Sequence, residues 1–176
     1  ERKWSFIVIM EKDIIVIDNI LPEDLCGQLI NKYKNFESCD RTNITSWPDF
    51  IVKNSNVVLV NDLNNRETNI ILNRLKNYLP QIYNEPFRAM FYRWTTGSYI
   101  PPHDDGHVDH AITIHLNQNY EEENGGLFMY RMKDSDHWTG IEPIYNRMVY
   151  TYGRVRHWTT PTHTTRLSLQ LFNLRP

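Results

Sequence analysis

The chain has 176 residues, 40% of them hydrophobic and 23% charged, with a formal net charge of -2. That length suits one domain able to bury roughly 70% of the surface its unfolded form exposes, so a core needs no disulfide staple. Charges of both signs are intermixed, with no block of lysine or arginine to follow a phosphate backbone, which argues against a nucleic-acid partner.

The opening ERKWSFIVIM sets charges ahead of an apolar run that Glu11, Lys12 and Asp13 interrupt. It is far too short for a signal-peptide core or a membrane span, so it reads as a strand and no membrane partner is expected. Because the sequence opens on glutamate, Met10 is a candidate initiator, with residues 1–9 added ahead of it. In DIIVIDNILPEDLCGQLINKYKNF a short β-rich run leads to Pro22, with Glu23 and Asp24 in a first helical turn. The spacing predicts a helix over about 22–36 whose apolar stripe is Leu25, Leu29, Ile30, Tyr33 and Phe36. Cys26 sits beside that stripe and reads as a small buried thiol. Cys26 and Cys39 fit no metal-ligand spacing, and so sparse a pair indicates free thiols and a cytoplasmic location.

The polar stretch ESCDRTNITSWPDFIVKNSN, with Trp47 before Pro48, is either a surface connection or a mobile loop over a site. A second helix is predicted from Ile70, Leu72, Leu75, Tyr78 and Leu79, ending near Pro80. From Phe87 onward the texture is short β runs: FRAMFYRW, HAITIHLN, GLFMYRM, RMVYTYG, RVRHWTT and RLSLQLF, separated by turn segments such as TTGS, EENGG and TPTH. The expectation is one mainly β domain, a sandwich or barrel over about 87–172, with helical support from about 11–86 packed on one outer face.

Tyr99 to Asn117 reads YIPPHDDGHVDHAITIHLN. In an extended segment residues i and i+2 face one side, so a His-x-Asp triplet offers an imidazole and a carboxylate to a common point. Two triplets are present, His103-Asp104-Asp105 and His107-Val108-Asp109. Pro101 and Pro102 stiffen the approach to the first and Gly106 lets the chain turn away after it, which favours His103 and Asp105. His107, Asp109 and His110 then read as a polar loop capping a strand. A second histidine from another strand completes a set of two histidines and one carboxylate, with open positions suited to iron(II) and oxygen.

In RVRHWTTPTHTTRLSLQLF, Pro161 suits the second position of a turn and predicts a hairpin centred between residues 161 and 162. Counting outward sets His157 opposite Arg166. Arginine is shaped to hold a carboxylate through parallel hydrogen bonds, so it suits the far end of a dicarboxylate whose other end chelates the metal. His163 and His137 read as turn and loop residues. Asp104 and Asn117 read as solvent-facing or supporting groups, and Gly125-Gly126 as a tight turn or close approach beside the pocket.

YRWTTGSYIPPHDDG, HAITIHLN, ENGGLFMYR, EPIYNRMVYTYG and RHWTTPTHTTRLSLQLF resemble, in order, the core of iron(II)- and 2-oxoglutarate-dependent dioxygenases of the prolyl 4-hydroxylase type. IIVIDNILPEDLCGQLI is similar to that family's opening strand and helix. The resemblance implies a double-stranded β-helix (jelly roll), iron held by His103, Asp105 and His157, and Arg166 on the distal carboxylate of 2-oxoglutarate. Tyr92 matches a cofactor-pocket tyrosine. His115 stands where relatives often carry a second one, so it either donates to the same carboxylate or fills space. It further implies oxygen as co-substrate, with ascorbate as a supporting reductant, and hydroxylation of a C–H bond with succinate and carbon dioxide as co-products. A halogenase would lack the carboxylate that Asp105 supplies.

The expected substrate is a prolyl residue in a peptide or protein, with a small molecule or another residue as alternative; the protein itself is expected as a monomer or weak homodimer. Nucleobase demethylases carry a second arginine where this chain has Phe172. A non-catalytic binding module would not need all four polar residues, and a metal hydrolase leaves Arg166 without a role.

Overall fold

The computed structural model describes residues 6–11, 13–35, 58–83, 85–106, 108–152 and 154–173. Phe36, Cys39, Trp47 and His107 lie outside the described residues. In chain order the elements are β1 (Phe6–Glu11), β2 (Ile14–Asp18), α1 (Glu23–Tyr33), β3 (Val58–Asp62), α2 (Asn65–Leu75), β4 (Phe87–Trp94), β5 (Ile100–His103), β6 (His110–His115), β7 (Phe128–Arg131), β8 (Thr139–Ile141), β9 (Met148–Tyr152), β10 (Arg156–Thr159) and β11 (Arg166–Asn173).

The strands form two antiparallel sheets. One has the order β1-β2-β9-β6-β11-β4-β3, the other β5-β10-β7-β8. Strict alternation explains how the larger sheet is covered on both faces. Ile17, Ala89, Phe91, Ile112, Ile114, Leu169 and Leu171 point to one side, where they pack with Leu29 and Tyr33 of α1 and with Ile71 and Leu75 of α2. Ile14, Val16 and Val149 point to the other and pack with Phe128, Tyr130 and Ile141 of the smaller sheet. On that inner face β11 turns polar: Arg166, Ser168 and Gln170 are buried, with Thr113 and His115 of neighbouring β6. Burying polar groups between two sheets is costly unless they meet partners.

α1 begins one residue after Pro22 and buries Cys26, Leu29 and Tyr33. Cys26 therefore belongs to the stripe itself, and burial pushes its thiol up to about 12. α2 is shorter than the sequence spacing suggests. It buries Ile71, Leu72 and Leu75 and leaves Ile70 exposed. A capping box fixes its start: Asn64 Oδ1 accepts from Glu67 N–H at 2.9 Å, and Glu67 Oε2 accepts from Asn64 N–H at 3.1 Å. Glu67 also ties the helices together, accepting from Lys32 Nζ at 2.6 Å and Tyr33 Oη at 2.7 Å. Among the described residues no helix is long and apolar enough to cross a membrane.

The expected hairpin between β10 and β11 does not form. β10 pairs with β5 and β7, setting His157 opposite His103 and Tyr130. β11 pairs with β4 and β6, setting Arg166 opposite Trp94. The connection crosses from one sheet to the other because its backbone bonds to other segments. Thr160 N–H donates to Leu127 O, Gly126 N–H to Pro161 O, Gly97 N–H to Thr162 O and Thr162 N–H to Ser98 O. Gly125 is needed here: its φ is +64°, and a Cβ would lie 2.4 Å from Pro161 O.

Candidate metal centre

β5 is an edge strand, so Pro101 and Pro102 forfeit no ladder hydrogen bond on its open side. It delivers His103 directly opposite His157 on β10, with ring centroids 4.4 Å apart. Asp105 follows just past the strand. Its Oδ1 lies 3.7 Å from His103 Nε2 and its Oδ2 lies 3.5 Å from His157 Nε2. One potential ligand atom from each of the three residues falls within 4.8 Å of the others.

The tautomers follow from the backbone. His103 Nδ1 is 2.7 Å from Pro101 O and His157 Nδ1 is 2.9 Å from Val155 O. A carbonyl only accepts, so both Nδ1 atoms carry a proton, and in the neutral imidazole each Nε2 presents a lone pair toward Asp105. Burial, then the neighbouring His157, lowers the His103 pKa and keeps that imidazole neutral. Two imidazole lone pairs facing a carboxylate repel one another unless a cation sits between them. The donor set of two nitrogens and one oxygen, with ring orientation fixed by carbonyls, fits a divalent transition metal. Phe128 stacks on His157, with ring centroids 5.2 Å apart.

Arg166 starts β11 on the other sheet and is only 3% exposed. Its guanidinium lies 4.6 Å above the Trp94 ring, and Trp94 Nε1 donates to Ser168 Oγ at 3.0 Å. Gly126 leaves room for its stem, since a Cβ there would sit 3.2 Å from Arg166 Cδ. Arg166 Nη2 donates to His115 Nδ1 at 3.2 Å, while Nε and Nη1 have no partner. Burial lowers the guanidinium pKa to about 9, so it stays charged at neutral pH. Because His115 Nδ1 accepts, the proton of that neutral imidazole sits on Nε2, which is buried and unpartnered. Burial and the charges of Arg166 and Arg147 hold His115 well below its ordinary pKa. A buried cation with no acid beside it among the described residues, flanked by a further unpartnered donor, fits the carboxylate of a bound ligand.

Tyr92 is buried on the same face as Trp94, 6.2 Å from it between ring centroids, and pairs with Ser168. The remaining histidines lie elsewhere. His110 Nδ1 is 2.9 Å from Tyr150 Oη, and Asn173 Oδ1 accepts from the backbone of both Asp109 and His110. His163 Nδ1 donates to Glu123 O and His137 N–H donates to Ser135 Oγ, both histidines being exposed. Asn117 does more than face solvent: it grips the backbone on both sides of Arg166, through Thr165 O at 2.8 Å and Leu167 N–H at 2.6 Å. Sequence reasoning missed Trp94 and Ser168. Their signal was present, since Trp94 is two residues past Tyr92 and Ser168 two past Arg166, on the same faces.

No family model and no curated sequence matches the chain. Solved structures do. A prolyl-4-hydroxylase from Pseudomonas putida superposes with a TM-score of 0.69 at 18% identity, over 93% of this chain and 94% of that one. A prolyl hydroxylase from Trichoplax adhaerens, in complex with a hypoxia inducible factor oxygen degradation domain peptide fragment, gives 0.68 at 15% identity, over 92% and 83%. HygX from Streptomyces hygroscopicus, with nickel and 2-oxoglutarate bound, gives 0.62 at 10%, over 92% and 83%. With its two facing antiparallel sheets, the chain has the prolyl hydroxylase-like fold of the iron(II)- and 2-oxoglutarate-dependent oxygenases.

Proposed function

We propose that the chain is a single-domain dioxygenase that uses iron(II), oxygen and 2-oxoglutarate to hydroxylate a C–H bond, most suitably of a prolyl residue in a peptide or protein. The observation that carries this reading is the buried Arg166 guanidinium, which meets no acid among the described residues and projects between the sheets from the strand layer opposite His103 and His157. A metal hydrolase gives that cation no task.

His103 Nε2, His157 Nε2 and Asp105 would hold the iron, leaving positions for a chelating 2-oxo acid and for oxygen. The iron with its co-substrate supplies the oxidising power, and decarboxylation to succinate and carbon dioxide accompanies it. Pro101 and Val155 carbonyls keep the two imidazoles aimed, so metal loading needs no ring reorientation. Arg166, braced by Trp94, would hold the distal carboxylate of the 2-oxo acid. Tyr92, buried beside Trp94, would flank the same ligand. The peptide class rests on the two prolyl hydroxylase structures, one of them peptide-bound. A reducing cytoplasm fits the buried free thiol of Cys26.

The test is mass spectrometry of a peptide and metabolite library incubated with protein, iron(II), ascorbate, oxygen and 2-oxoglutarate. Gain of one oxygen atom on proline-containing peptides, abolished in Asp105→Ala, is the expected result. Gain on a metabolite alone would replace the prolyl assignment, and product formation without oxygen would remove the dioxygenase reading.

A further inference from the structure

We infer that the outer face of the smaller sheet is a docking surface for a protein partner, and that it takes an extended acidic segment in which carboxylate and apolar side chains alternate along one side. This surface lies on the far side of the sheet from the metal centre, and its role is separate from the chemistry proposed there.

Alternation along the strands fixes which side chains share the face. Phe128, Tyr130 and Ile141 pack inward against Ile14, Val16 and Val149 of the larger sheet, and His157 stacks inward on Phe128. Met129 and Arg131 of β7 and Arg156 and Trp158 of β10 therefore point outward. The register sets Arg156 directly opposite Arg131 and Trp158 directly opposite Met129, so a row of two cations lies beside a row of two apolar side chains. Trp138 joins the rows: its ring meets Trp158 edge-on with centroids 6.2 Å apart, and the Arg131 guanidinium lies 5.2 Å from its own centroid. Arg156 is exposed and the other four are half-buried. Among the described residues no helix covers them, since α1 and α2 pack on the larger sheet.

The free chain leaves this face unbalanced. Like charges directly opposite one another on a sheet destabilise it, yet among the described residues neither Arg131 nor Arg156 forms an ion pair. An incoming carboxylate relieves that repulsion, and the planar arginine fork is shaped to hold one. A free anion would leave the tryptophans unused. Tryptophan, arginine and methionine are the side chains that protein interfaces concentrate, which favours a protein as the occupant. Residues two apart in an extended segment share a side, so an acidic-x-apolar repeat matches Arg156-x-Trp158 and Arg131-x-Met129 at their own spacing.

The experiment is fluorescence anisotropy of the full chain with a labelled peptide of Glu-Ser-Leu-Ser repeats, beside its Lys-Ser-Leu-Ser counterpart and an oligothymidylate. The acidic peptide is expected to bind, more weakly as salt is raised, and the other two probes are not. Arg156→Glu turns the opposed arginines into a pair of opposite charges. It is expected to raise the melting temperature by roughly 1 to 4 °C while weakening the acidic peptide about 10-fold or more, so unfolding cannot account for the loss. Trp138→Ala should weaken the same peptide by a similar factor. Failure of the acidic peptide to bind, equal binding of the lysine peptide, or unchanged affinity in either variant overturns the assignment. A fall in the melting temperature of Arg156→Glu would overturn it too, by showing that Arg156 already has an acidic partner. Tighter binding of the oligothymidylate would make this a nucleic-acid surface and overturn the protein occupant.

Discussion

Arg166 concentrates the physics of the pocket in one side chain. Its folded pKa of about 9 lies well below the ordinary arginine value because burial disfavours the charge. For a base with a depressed folded pKa, the unfolded chain binds the extra proton between those two values, so this group's contribution to stability rises with pH across that window. At neutral pH it therefore opposes folding of the ligand-free protein. Arg166→Leu is expected to leave the melting temperature unchanged or raise it by a few degrees, since a buried charge exchanged for an apolar group is often neutral or stabilising. The same variant should lose 2-oxoglutarate affinity by about 30-fold or more, because truncating one member of a buried charge pair costs about 2 to 5 kcal/mol. Iron binding should survive. Calorimetry and thermal melts read both effects, and a sharp fall in melting temperature would mean that the guanidinium already has a partner. His115 illustrates what spacing alone left open: only its Nδ1 contact with Arg166 decides that it is a neutral donor at Nε2.

At the scale of elements, the sequence was most legible where local chemistry is decisive. RLSLQLF alternates and forms β11, and the aromatic-rich run FRAMFYRW forms β4. The His-x-Asp triplet needed only a short extended run. The β10–β11 hairpin failed because a proline turn signal says how a chain bends locally and nothing about which neighbours bond its backbone; here those are segments 95–98 and 124–127. β3 was overlooked because VLVND adjoins a helical pattern, and its pairing with β4 is a long-range contact. The face of α2 was misjudged for a related reason: Ile70 and Ile71 are adjacent, and the Asn64–Glu67 cap that selects Ile71 was not used. Asn64→Ala removes that cap and should destabilise the protein by about 1 kcal/mol, or roughly 2 to 4 °C in melting temperature. Thermal denaturation checks it, and no change would show that packing alone sets the start of α2.

On the scale of the whole molecule, two sheets hold the two halves of the chemistry. The three proposed metal ligands come from the strand pair β5–β10 and the turn after it, while Arg166, His115 and Trp94 come from the larger sheet. The order of motifs along the chain singled out His103, Asp105, His157 and Arg166 as candidates, but not that the eight residues between His157 and Arg166 cross from one sheet to the other. Residues of α1 and α2 brace the larger sheet from its outer face. The most direct measurement is iron stoichiometry in purified His103→Ala, Asp105→Ala, His157→Ala and His107→Ala chains reconstituted without oxygen. One ion per chain is expected in the unsubstituted protein and in His107→Ala, with stoichiometric binding lost in the other three. Retention in His103→Ala or His157→Ala, or loss in His107→Ala, would contradict a ferrous ion held between the two facing imidazoles and Asp105.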